Sequence, residues 1–110
     1  MRVKSALRKI RSVKMLSIQI SREAESDLED ISFYTHLEWG ERQAEKYLND
    51  LLSCLNLLAK NPLIGQDMSV IQNDLRMFPF KSHYLFFIPK KKSILIVRIL
   101  GQQMDFEAHL

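Results

Sequence analysis

Ala44, Leu48, Leu51, Leu55 and Leu58 step along the chain by 4, 3, 4 and 3 residues, and this stripe constrains the fold more than any other feature. The spacing follows the helical repeat, so the five side chains share one face of a helix from about Glu41 to Lys60. Asn61-Pro62 stops it, because a proline disfavours helical backbone at the residue before it. Upstream, Ala24, Leu28, Ile31 and Thr35 mark one face of an earlier helix. Ser21 can cap that helix, with Glu23 and Glu25 in the first turn, where the helix dipole favours acids. It should end around Trp39-Gly40. Only a tight turn at Gly40 separates the two helices, so they form an antiparallel hairpin whose apolar faces need a further layer to cover them.

Strands supply that layer. Leu16 to Ile20 (LSIQI) alternates apolar and polar residues and reads as a short strand. Pro62 to Asp74 is a loop with some apolar anchors. Leu75 to Phe80 (LRMFPF) is a short strand whose Pro79 argues for an edge or a bulge. Tyr84 to Ile88 and Ser93 to Leu100 flank the polar turn Pro89-Lys90-Lys91-Lys92 and form a β-hairpin. The tail, Gly101 to Leu110, can close with one helical turn. The order is β-α-α-β-β-β. The expected fold is α+β: an N-terminal strand and an antiparallel helical hairpin packed on one face of a small antiparallel sheet. At 110 residues, 46% hydrophobic and 26% charged, the chain has the size and composition of one globular domain.

The net charge of +3 is unevenly spread. Residues 1–14 contain Arg2, Lys4, Arg8, Lys9, Arg11 and Lys14 and no acid, which leaves residues 15–110 with 10 basic and 13 acidic side chains, a net of −3. A whole-surface basic footprint for nucleic acid is therefore not supported, and no sequence-specific nucleic-acid binding by the chain alone is expected. In the leader, Val3, Leu7, Ile10 and Val13 fit an amphipathic basic helix. Such a helix could touch a membrane, RNA or an acidic partner. The stronger reading is that Met15 begins a segment that reads as a complete domain by itself, with residues 1–14 an upstream-start extension of little consequence. No run is long and apolar enough for a membrane span and no secretory signal is recognisable, so a cytoplasmic protein is expected. Cys54 is the single cysteine. It excludes an intramolecular disulfide and, within LLSCLNLL, reads as a small buried thiol.

The residue that does not fit its surroundings is Arg98, inside SILIVRIL. Strand alternation puts Ile94, Ile96, Arg98 and Leu100 on one face and Leu95, Val97 and Ile99 on the other. The helices can cover only one face fully, so Arg98 is expected on the open one, its stem packed and its guanidinium reaching a groove. Two roles fit: an ion pair with a carboxylate such as Asp105 or Asp74, or the lining of a recognition surface. His83 and His109 invite an acid–base or metal reading. They have no i, i+4 pairing and no cysteine partner, and Lys81 is the only nearby cation for a phosphate, so no metal and no other cofactor is expected. Lys90-Lys91-Lys92 reads as a solvated hairpin tip, with contact to DNA or to an acidic partner tail as the alternative. Trp39 and Phe33, on the helical hairpin, read as core or interface.

Four stretches together resemble the toxins of the RelE/ParE superfamily of type II toxin–antitoxin modules, and specifically the ParE branch. They are SREAESDLEDISFYT, ERQAEKYLNDLLSCLNLLAKNPLIG, LRMFPFKSHYLFFIP and ILIVRILGQQMDFEAHL, and the resemblance covers about residues 16–110. It implies the β-α-α-β-β-β fold, a small antitoxin partner that wraps the toxin, and DNA gyrase as the target, inhibited by binding without catalysis. The RelE-like branch instead cleaves mRNA on the ribosome, using a cluster of Lys and Arg plus a C-terminal Tyr. Arg98 and Arg76 match the sheet arginines of that pattern. GQQMDFEAHL, which follows Arg98, has no Lys, Arg or Tyr and carries Asp105 and Glu107. Acids there would repel a phosphate backbone. The expected target- or antitoxin-binding groove is Arg76, His83, Arg98, Gln103, Asp105 and His109. ParE-like toxins often have His and Arg where this chain has Gly101 and Gln103, which keeps open a non-toxic member that only binds its antitoxin.

Overall fold

The computed structural model describes residues 18–110. The basic leader of residues 1–14 lies outside them, as does the expected start of the first strand before Ile18. Strand β1 (Ile18–Ile20) leads through Ser21 into α1 (Arg22–Trp39), and Gly40 turns the chain into α2 (Glu41–Lys60). Then come β2 (Gln66–Asp67), β3 (Arg76–Phe80), β4 (His83–Pro89) and β5 (Ile94–Gly101), and a 3₁₀ turn at Phe106–Ala108.

The helix ends are built as the sequence implies. The Ser21 hydroxyl accepts from the Ala24 N–H at 3.0 Å and donates to the Val97 carbonyl at 2.7 Å, so the cap also ties α1 to β5. Gly40 has φ 90°, a left-handed value that a side chain would strain, and its N–H closes α1 on the His36 carbonyl. All five residues of the α2 stripe are buried. Taking about 2 kcal/mol for each buried leucine, its four leucines contribute roughly 8 kcal/mol as an upper figure. Their counterparts are Ala24, Leu28 and Ile31 of α1 and Phe80, Leu85, Phe87, Ile94, Ile96 and Ile99 of the sheet.

The sheet is five-stranded and mixed, in the order β1-β5-β4-β3-β2. Strands β2 to β5 pair antiparallel, but β1 runs parallel to β5, with Ile18 opposite Ile94 and Ile20 opposite Ile96. A three-residue strand far in sequence from its partner carries no direction of its own. Its direction follows from delivering Ser21 to the β5 edge, where the Ser21 N–H bonds the Ile96 carbonyl at 3.0 Å. The expected loop 62–74 contains β2, which pairs only with Arg76 and Met77. Pro79 lies beyond its reach, where β3 is an edge, as the proline implied.

The expected alternation along β5 fails at one residue. Phe86 pairs with Arg98 and Phe87 with Ile96, so Val97 is the extra residue of a β-bulge. Past it the faces exchange. Ile94, Ile96 and Ile99 pack towards the helices, while Val97 and Leu100 pack on the other side with Phe86 and Ile88. That second side is also covered by the chain itself: Met68, Ile71 and Leu75 of the loop and Phe106 and Leu110 of the tail close over it.

Candidate functional site

The bulge governs what Arg98 does. Opposite Phe86, its side chain starts on the face away from the helices. Strand β1 covers β5 only as far as Ile96, and through that gap the guanidinium reaches Asp27 of α1. Arg98 Nε donates to Asp27 Oδ2 at 2.8 Å and Nη2 to Oδ1 at 2.9 Å, a bidentate pair. The Ile99 N–H donates to Oδ2 at 2.8 Å, so the carboxylate also stands in for a neighbouring strand. The hydrogen bonds to Asp27 push the guanidinium pKa above its usual value. Arg98 Nη1 donates to the His109 carbonyl at 3.0 Å and fastens the tail. The carboxylate expected beside Arg98 is present, but it is Asp27 and neither Asp105 nor Asp74.

Arg76 lies opposite Phe87, on the helix side of the sheet. Its Nη2 donates to the Leu63 carbonyl at 2.9 Å and also to the Gly65 carbonyl. Gly65 is needed there: a Cβ would stand 2.9 Å from the Met77 carbonyl oxygen and 3.1 Å from the Phe87 ring. Arg76 thus fastens the loop after α2 to the sheet. The two arginines set out from opposite faces, and the expected shared groove does not form between them.

His83 faces the helices. Its Nδ1 lies 2.6 Å from the Tyr47 hydroxyl of α2, which donates when the ring carries its proton on Nε2. Burial lowers the His83 pKa, partly offset by the charge of Asp27, and burial raises that of Tyr47. Both shifts favour the neutral ring and the protonated phenol. Beside them Lys81 bonds Asp50 at 2.6 Å. Gln102 Nε2 donates to the Lys81 carbonyl at 2.9 Å and the His83 carbonyl at 3.2 Å, fixing the β3–β4 turn.

The remaining expected residues lie on the tail. Gln103 and Asp105 are exposed, and Asp105 precedes the 3₁₀ turn with no side-chain cap bond. His109 is exposed and contributes its carbonyl to Arg98. A Cβ on Gly101 would find only ordinary contacts at 3.6 Å, so sterics do not demand glycine there. The structure therefore joins Arg98 to His109 and sets His83 and Arg76 in separate networks. Among the described residues, no group of three or more His, Cys, Asp or Glu is placed to hold a metal ion. Asp27 was the residue missed. It sits in the acid-rich run EAESDLED, but three residues after Ala24 and four before Ile31, on the apolar stripe. An acid on a buried helix face and an arginine in an apolar strand are the signal that could have paired them.

A helical hairpin lies across a small mixed sheet, with the sheet arginine clasped to the first helix and the tail folded over the far face: a compact α+β domain. The sequence matches the family model described as the ParE toxin of the type II toxin–antitoxin system, parDE, over residues 18–106. It is similar to Toxin ParE1 of Caulobacter vibrioides, 32% identical over 96 residues, covering 87% of this chain and 99% of that protein. It is likewise similar to Toxin ParE1 of Mycobacterium tuberculosis, 36% identical with coverage of 83% and 94%, and to Toxin ParE of Escherichia coli, 35% identical with 87% and 94%. Among solved structures, a chain of the chromosomal ParDE TA system from P. aeruginosa superimposes with a TM-score of 0.67 at 25% identity, covering 79% of this chain and 96% of that one. The chain belongs to the ParE toxin family of type II toxin–antitoxin systems.

Proposed function

We infer that this toxin acts in the cytoplasm by binding DNA gyrase and blocking replication, without catalysis of its own, and that a cognate antitoxin neutralises it. The observation that carries the non-catalytic part is the commitment of both sheet arginines. Cleavage of RNA by its 2′-oxygen needs a base, an acid for the leaving oxygen, and cations around the phosphate. Arg98 is spent on Asp27 and the His109 carbonyl, and Arg76 on the carbonyls of Leu63 and Gly65. They begin on opposite faces, and the tail beyond Arg98 adds Asp105 and Glu107 and no Lys or Arg. A protein surface that binds a protein target needs none of that chemistry. The names of the relatives support the toxin reading, and the ParDE system of the structural neighbour supports an antitoxin partner. Among the described residues no helix is long and apolar enough to cross a membrane.

The test is pulse-labelling of cells induced to express the full chain. Thymidine incorporation is expected to fall before methionine incorporation, with both restored by co-expression of a cognate antitoxin. Early loss of methionine incorporation with mRNA cut on ribosomes would replace gyrase with the ribosome. Undisturbed growth at high soluble yield would leave an antitoxin-binding member without toxicity.

A further inference from the structure

Near the Gly40 turn that closes the helical hairpin, Thr35 and Trp39 of α1, Gln43, Lys46 and Tyr47 of α2, and Lys81 of the β3–β4 turn line a cleft of about 300 Å³. None of these residues belongs to the clasp around Arg98. Lys46 and Lys81 converge on a single carboxylate, Asp50, at 3.0 and 2.6 Å. Two ammonium groups against one acid leave one positive charge in excess, within a stretch, residues 15–110, whose net charge is −3.

The backbone of Lys81 gives a second, independent observation. Its φ is 52°, in the left-handed region where a glycine would be relaxed and a lysine is strained. The strain is held in place by Gln102, which bonds the carbonyls on either side of Ser82. The side chain kept at this position lies with its ammonium 5.1 Å from the Tyr47 ring centre and 5.5 Å from that of Phe80, still 42% exposed. One wall of the cleft carries an apolar ring: the Trp39 indole, 69% exposed.

We propose that this cleft docks an acidic polypeptide segment of a partner protein, with a carboxylate on Lys46 and Lys81 and a neighbouring apolar side chain against Trp39. The exposed pairs to Asp50 are weak and mobile enough to admit a second carboxylate. The volume would hold roughly ten waters, far more than one inorganic anion fills, and the indole wall offers such an anion nothing. The site does not depend on the gyrase reading and would stand or fall separately from it.

Trp39 is the single tryptophan of the chain, so its emission reports on this cleft. The full chain is titrated with the capped hexapeptide Glu-Leu-Asp-Glu-Leu-Asp, with its Gln/Asn counterpart, and with sodium sulfate at matched ionic strength. The acidic peptide is expected to give a saturable change, at least about tenfold tighter than the amide counterpart and weakening as salt is raised. Lys46→Gln and Lys81→Gln are each expected to lose most of that affinity. Lys81→Gly separates binding from folding, because glycine suits the turn: it should keep the wild-type circular dichroism and lose the peptide. An unresponsive Trp39, equal binding of the amide peptide, unchanged affinity in the variants, or full reproduction of the change by sulfate would each overturn the proposal.

Discussion

Replacing Asp27 with alanine tests the reasoning about the clasp most severely. The substitution removes the acceptor of three hydrogen bonds, two from Arg98 and one from the Ile99 N–H. The pair is well shielded, with side-chain exposures of 10% for Asp27 and 20% for Arg98. Truncating one partner of a buried ion pair costs about 3–5 kcal/mol, because the other charge is left without a counterpart. Arg98 keeps the His109 carbonyl and some solvent, so the lower end, about 3 kcal/mol, is expected. For a domain near this size that corresponds to a fall in melting temperature of about 12 °C or more. Urea denaturation should show a lower midpoint at an unchanged slope. In a double-mutant cycle, Asp27→Ala with Arg98→Met should cost less than the two single changes added together, since no charge is then left unpaired. A loss below about 1 kcal/mol for Asp27→Ala, or simple additivity in the cycle, would mean that the pair behaves as a surface bridge and would refute the argument.

Other outcomes follow from the same contacts. Burial lowers the His83 pKa, so the unfolded chain binds the proton more readily and stability falls as the pH drops below about 6.5. His83→Gln should flatten the melting-temperature profile between roughly pH 7 and pH 5, and an unchanged slope would remove His83 as its source. The Phe106 ring packs 5.4 Å from that of Phe86 and 6.4 Å from that of Tyr84. Since it is only partly buried, Phe106→Ala should cost about 2 kcal/mol, less than a core phenylalanine, when measured by chemical denaturation. Wild-type stability in that variant would show that the tail does not cover the sheet in solution.

Periodic features of the sequence carried the fold, because apolar spacing and breakers act locally. Ala44 to Leu58 are buried as a stripe, Ser21 caps α1, and Gly40 turns the hairpin as its freedom of φ allows. The bulge was not legible. Ile94 to Leu100 is aliphatic at every position but Arg98, so a slip of one residue at Val97 leaves the pattern looking the same. That slip decided which face each residue took, and with it the expected grouping of Arg76 with Arg98. The parallel pairing of β1 was hidden for a related reason: IQI is too short to encode a direction, which comes from the contact of Ser21 with Ile96. Asp27 was obscured by the acids around it, although its place on the inner stripe set it apart. The resemblance named the family correctly but could not say that Arg98 is neutralised, because that depends on a contact across 71 residues of sequence.

Supercoiling of relaxed plasmid by purified gyrase tests the proposed gyrase target. With the full chain added, supercoiling is expected to be lost and linear, gyrase-cleaved DNA to accumulate, while a parallel translation reaction keeps its mRNA whole. Normal supercoiling beside mRNA cut on the ribosome would contradict it and return Arg76 and Arg98 to the role of phosphate ligands.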